Sequence, residues 1–179
     1  MNNKLSVRDI SFIGMGAALM AVLSQISIPV PFSAVPLTLS VTGVMLLSLI
    51  LKPKQSFLSV LIFILLGSAG VPVFANFRGG FNVILGPTGG YLIGYLLMTL
   101  VIGYAAKKDN TVAIVTSVYA ALALDYLLGV SQLAFVAHLS LNKALIAGFY
   151  PFIIKDIVLS FIVCMLGIKI KKRMSVIIN

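Results

Sequence analysis

Apolar stretches of membrane-spanning length follow one another along nearly the whole chain, and this one feature excludes most folds. A helix needs about 20 predominantly apolar residues to cross the hydrocarbon core of a bilayer. Six stretches reach or approach that length: Ile10 to Ile28, Val35 to Leu51, Ser56 to Val71, Gly90 to Ala106, Thr111 to Val136 and Phe149 to Ile168. They leave no segment long enough for a separate soluble domain. Residues 1–179 therefore read as a single transmembrane domain, an all-α polytopic membrane protein with six transmembrane helices. Composition agrees, with 60% of residues hydrophobic and 9% charged, against about a quarter charged in a soluble domain. The fifth stretch is longer than a crossing needs and is expected to tilt, or to break near Gly129.

The formal net charge of +9 would suggest nucleic acid in a soluble protein. In a membrane protein, Lys and Arg are sorted to the cytoplasmic side. Of the thirteen basic residues, Lys4, Arg8, Lys52, Lys54, Lys107, Lys108, Lys169, Lys171, Lys172 and Arg173 fall at the N-terminus and after spans two, four and six. These places share one side, so both termini are expected in the cytoplasm of a cell membrane protein. The partner implied by the charge is the lipid bilayer, not nucleic acid. Lys4 and Arg8 before an apolar stretch could also open a signal peptide, but no small-x-small cleavage site follows and the stretch is long enough to span. Cys164 is the single cysteine, which excludes a disulfide framework and a cysteine metal site. No cofactor or metal is expected.

Charged residues inside spans are costly and mark function by default. Asp125, Lys155 and Asp156 qualify. With Pro151 in a favoured first-turn position, Lys155 and Asp156 lie within about 10 Å of the outer end of span six. Neighbouring helix residues point about 100° apart, so the two are expected to offer opposite charges to different parts of a dipolar ligand and not to pair tightly. A second reading has Lys155 snorkelling to the outer interface and Asp156 pairing with Arg78. Asp125 lies mid-span with Gln132 two turns later on the same face; ligand contact and a packing contact near Tyr126 are both open.

The outer connections carry their own signals. The first holds Pro29, Pro31 and Pro36, which stiffen it enough to serve as a lid. The second, Pro72 to Gly89, has an apolar middle able to dip back among the helices, and it supplies Arg78 and Asn82 before Gly-Pro-Thr-Gly-Gly-Tyr. Thr88 as N-cap would leave the amides of Gly89 and Gly90 free at a helix N-terminus, where a carboxylate binds. A glycine turn without a ligand fits the spacing equally. No Gly-Lys-Ser/Thr follows, so this is not a nucleotide loop. In span one, Gly14, Ala17, Ala18 and Ala21 let another helix approach closely, whether from this chain or a partner.

Three of these segments together carry a resemblance. GSAGVPVFANFRGGFNVILGPTGGYLIGY from Gly67 to Tyr95, FYPFIIKDIVLS from Phe149 to Ser160, and the Ala17-x-x-x-Ala21 spacing resemble the BioY family, the biotin-specific substrate-binding (S) components of energy-coupling factor (ECF) transporters. The similarity covers nearly the whole chain. It implies a six-helix ECF S-component-like bundle that captures biotin from outside and works with a transmembrane T component and two cytoplasmic ATPases. It also implies that Lys155 and Asp156 are the family's lysine-aspartate pair, that Asn82, Tyr91 and the glycines including Gly89 form its binding loop, and that Ala17 and Ala21 face the partner. Asp156 and Asn82 suit a ureido ring; Lys155, Arg78 or the Gly89 amide suit a carboxylate.

Two other classes compete. A self-sufficient proton-coupled or facilitative vitamin carrier would use Asp125 or Asp156 for a proton and would stop when the gradient collapses. An intramembrane enzyme is disfavoured, because the only histidine is His138 and neither His-Glu-x-x-His nor a Ser-His arrangement is present.

Overall fold

The computed structural model describes residues 5–108 and 110–178, so Lys4 lies outside them. Helix α1 (Val7–Gln25) leads into a hairpin of β1 (Ser27–Ile28) and β2 (Leu37–Thr38), then α2 (Ser40–Ile50) and α3 (Pro53–Ser68). A 3-10 turn (Ala75–Phe77) and α4 (Phe81–Leu85) precede α5 (Gly89–Lys107) and α6 (Thr111–Val136). The short α7 (Leu141–Gly148) precedes α8 (Tyr150–Ile178).

The six expected spans correspond to six helices of unequal length. Among the described residues, α1, α5, α6 and α8 as far as Lys171 are long and apolar enough to cross a bilayer, whereas α2 and α3 are shorter apolar helices of 11 and 16 residues. Helix α2 starts late because Leu37–Thr38 pair antiparallel with Ser27–Ile28, Ser27 opposite Thr38 and Ile28 opposite Leu37. Helix α3 stops early because Gly70 takes a left-handed φ of 102°. There the amides of Gly70 and Val71 return to the carbonyls of Gly67 and Leu66 at 3.1 Å each, the glycine-terminated helix stop that a span-length count does not register. Helix α6 runs unbroken through Gly129.

Local chemistry fixes the helix starts. Ser6 and Asp9 cap α1 reciprocally, at 3.1 Å from the Asp9 amide to Ser6 Oγ and 3.0 Å from the Ser6 amide to Asp9 Oδ2. Asn110 Oδ1 accepts from the amides of Val112 and Ala113 at 2.9 and 3.2 Å and so opens α6. Gln55 Nε2 donates to Asp9 Oδ1 at 2.7 Å, which joins the starts of α1 and α3, and Lys171 donates to the carbonyl of Ala106, which joins the ends of α8 and α5. The ends of α5 and α8 that carry Lys107 and Lys171 thus lie at one end of the bundle, and the hairpin, with Lys155 bonded to it, at the other. Between them the core is built on Met20, Val44, Met45, Phe63, Met98 and Val118. Buried serines satisfy their hydroxyls on carbonyls, as Ser59 does with Ile13 of α1 at 3.1 Å and Gln55 at 2.9 Å.

Helices α5 and α6 approach most closely. A methyl group on Gly90 would lie 2.3 Å from the Leu128 carbonyl oxygen, and one on Gly94 would lie 2.2 Å from Asp125 Oδ1. Gly90-x-x-x-Gly94 is therefore a small-residue face used inside this chain.

Candidate functional site

A partly open cavity lies at the end of the bundle that carries the hairpin. The hairpin supplies Val35, Pro36 and Thr38, α3 supplies Phe63, and the second outer connection supplies Phe74, Arg78 and Thr88. Tyr91 and Tyr95 come from α5, Asp125 and Tyr126 from α6, and Phe152, Lys155 and Asp156 from α8. Most of this lining is aromatic or aliphatic. Tyr126 stands edge-on to Tyr91 and Phe149, with ring centroids 6.5 and 4.9 Å apart.

Every charged residue that lies within an apolar stretch converges here, but in a different arrangement from the expected one. Lys155 and Asp156 do pair, with Nζ 2.6 Å from Oδ1. The expectation of no tight pair took the directions of the two Cβ atoms and neglected the reach of the lysine stem. Lys155 is the contact of Oδ1 among the described residues. Oδ2 accepts from the Tyr126 hydroxyl at 2.5 Å. Lys155 also donates to the Thr38 carbonyl at 2.6 Å, which ties α8 to the hairpin. The rival pairing of Asp156 with Arg78 is absent among the described contacts. Arg78 is exposed at the mouth, where it also borders an adjoining groove with Pro29, Val30, Ser33 and Asn76.

Three polar side chains build the outer wall: Gln25 and Ser33, which sequence reasoning passed over, and Gln132, which it named only as a companion of Asp125. Gln25 donates to the carbonyls of Pro72 and Phe74 at 3.2 and 3.1 Å and accepts from the Phe77 amide at 3.0 Å. It thereby holds Asn76 and Phe77, both in the left-handed region at φ 58° and 55°, a conformation that ordinary side chains resist. Gln132 Nε2 donates to the carbonyls of Ile84 and Gly86, both at 2.8 Å, so it secures the glycine loop and does not face the cavity. Ser33 Oγ donates to the Ala147 carbonyl at 2.6 Å and fastens the hairpin tip to α7. Each is a polar residue in an apolar setting, but its target lies far along the chain.

Three expected positions fall elsewhere. Asn82 is exposed on α4 and does not line the cavity. The Gly89 amide is not free but donates to the Gly86 carbonyl at 3.2 Å, because a methyl group there would lie 1.7 Å from the Ile84 carbonyl oxygen and the loop folds tightly against the helix start. Thr88 caps no amide with its side chain and lines the cavity instead. In α1, Ala17 is 6% exposed and turned into this chain's own interior, while Ala21 is half-buried. Tyr91 stays at the wall, its hydroxyl donating to the Gly148 carbonyl at 2.7 Å.

Comparison with known proteins gives this geometry a family. The BioY family profile matches residues 1–176. The biotin transporter BioY of Thermotoga maritima is 40% identical over 167 residues, covering 93% of this chain and 97% of that protein. A probable biotin transporter BioY of Pyrococcus horikoshii is 43% identical over 154 residues, covering 86% and 90%. The crystal structure of the S-component for biotin from an ECF-type ABC transporter matches with a TM-score of 0.86 at 27% identity, over 96% of this chain and 95% of that one. With several apolar helices long enough to cross a bilayer and transporters for relatives, the chain is a multi-pass membrane protein and not an enzyme. A match that runs through all eight helices, and so takes in both walls of the cavity, leaves one conclusion: the chain belongs to the BioY family.

Proposed function

We propose that this chain is the high-affinity biotin-binding S component of an ECF-type importer, which captures external biotin and passes it inward with a T component and two ATPases. The observation that carries this reading is the whole-chain likeness to the biotin S-component structure. The cavity's chemistry supports it. Biotin offers an apolar thioether ring and chain, a ureido group and a carboxylate; the aromatic wall takes the first, and Asp156 Oδ1, which keeps acceptor capacity beside its contact with Lys155, takes a ureido N–H. Lys155 is already engaged by Asp156 and Thr38, so Arg78 at the mouth is the cation for the carboxylate. Nanomolar binding needs about 12 kcal/mol, or about 0.8 kcal/mol for each of biotin's roughly sixteen heavy atoms, within the small-ligand ceiling.

The test is mass spectrometry of small molecules that stay with the purified chain, with calorimetry of added biotin, and then uptake in cells that supply the partners. Biotin should co-purify or bind near nanomolar, and ATP depletion should stop uptake while a proton gradient persists. Uptake that follows the gradient instead would overturn the ATPase partnership.

The same reading places the cavity outside and the basic helix ends in the cytoplasm. Single cysteines at Asn76 and Lys108 in a Cys164→Ser background should report this through an impermeant thiol reagent in intact cells. Position 76 should label and position 108 should not; the reverse would invert the topology.

A further inference from the structure

Two carboxylates line the cavity, and the fold treats them differently. Asp156 is 3% exposed and held by Lys155 and Tyr126. Asp125 is 1% exposed, and among the described residues neither of its oxygens meets a hydrogen-bond donor. An unsatisfied buried carboxylate is costly at this depth. The surrounding polar groups have other commitments: the hydroxyl of Tyr91 goes to Gly148, that of Tyr126 goes to Asp156, and Gln132 goes to Ile84 and Gly86. Helix α5 makes room for the group, since any side chain at Gly94 would strike Asp125 Oδ1 at 2.2 Å and its Cα at 3.0 Å. Position 94 is thus bare beside a carboxylate that no described residue satisfies, on the wall of the cavity.

A donor from the ligand completes the arrangement. The two N–H groups of a cyclic urea lie on opposite sides of its carbonyl and diverge, so one carboxylate cannot receive both. Acceptors on two different elements are required, and α6 and α8 carry one each. We propose that Asp125 is a second ligand-reading acceptor, taking the ureido N–H that Asp156 does not. This inference rests on the biotin reading of the cavity.

The absence of protein partners separates this role from a structural one. Replacing an uncompensated buried carboxylate leaves the fold no worse satisfied, so Asp125→Asn and Asp125→Ala should melt, without ligand, at or above the wild-type temperature. Both should bind biotin about ten- to a hundredfold more weakly, the range expected for a lost charge-assisted hydrogen bond. Calorimetry with biotin methylated on one ureido nitrogen or the other identifies the contact. Wild type should be penalised by methylation of the nitrogen that faces Asp125, and Asp125→Ala should lose most of that penalty while keeping the one at the other nitrogen. Biotin binding within twofold of wild type by folded Asp125→Asn would overturn the inference. An equal loss for biotin and both methylated forms would do the same, because Asp125 would then act on the cavity and not on an N–H. If wild type itself does not bind biotin, the biotin reading falls and this inference falls with it.

Discussion

Gly90→Ala is expected to yield little folded protein, and what remains should be destabilised by roughly 3 kcal/mol or more, the upper range for overpacking a close contact. The added methyl group would sit 2.3 Å from the carbonyl oxygen of Leu128 and 2.8 Å from its carbon. Both belong to the backbone of α6, which cannot rotate aside as a side chain would. Relief requires α5 and α6 to separate along the interface that carries Tyr91 and Asp125, so ligand binding should fall with stability. Gly14→Ala provides the control: nothing lies within 4 Å of the new methyl, and removing a helical glycine should change stability by no more than about 1 kcal/mol, in the favourable direction. Thermal melts followed by size exclusion in detergent compare the two. A Gly90→Ala protein that melts with the wild type would mean that α5 and α6 do not pack as closely as the structure places them.

That glycine pair also marks where sequence reading reached its limit. The spacing Gly90-x-x-x-Gly94 is as visible as Ala17-x-x-x-Ala21, yet a small-residue row states only that some helix approaches and not which one. Hydropathy gave the helices their order because lipid imposes length and apolarity on each one independently. It missed the early stop of α3 and the late start of α2, since both depend on backbone hydrogen bonds that hydropathy does not register. Lys155 and Asp156 were legible as cavity residues because a charge at membrane depth has few places to go, whereas Asp125 left ligand contact and packing both open. Their mutual arrangement was not legible. The Lys155–Asp156 contact depends on a flexible stem, and the Tyr126–Asp156 hydrogen bond joins residues 30 positions apart. Asn82 and the Gly89 amide stood close to a glycine loop in sequence, but Gln25 and Gln132, from α1 and α6, decide how that loop folds.

Asp156→Asn should show the largest combined effect on binding and stability, because this side chain is the counter-ion of Lys155 and, on the reading proposed above, also the ligand acceptor. The substitution keeps size but removes the charge that compensates Lys155, and it presents amide hydrogens where the Tyr126 hydroxyl and the ligand also donate. Breaking a buried ion pair by removing one partner costs about 3–5 kcal/mol; Lys155 is 18% exposed, so the loss here should lie toward the lower end. Loss of the charge-assisted contact to the ligand should weaken biotin binding by at least about tenfold and up to several hundredfold. Lys155→Met isolates the structural half, since it leaves Asp156 uncompensated and releases the Thr38 carbonyl that anchors the hairpin. The double variant Lys155→Met/Asp156→Asn then separates the two roles. With no charge left to compensate, much of the stability should return, but binding should stay as weak as in Asp156→Asn because the acceptor has not been restored. Calorimetry and thermal melts on the four proteins decide it. Recovery of binding along with stability in the double variant would show that Asp156 serves the fold alone and that another group reads the ureido ring.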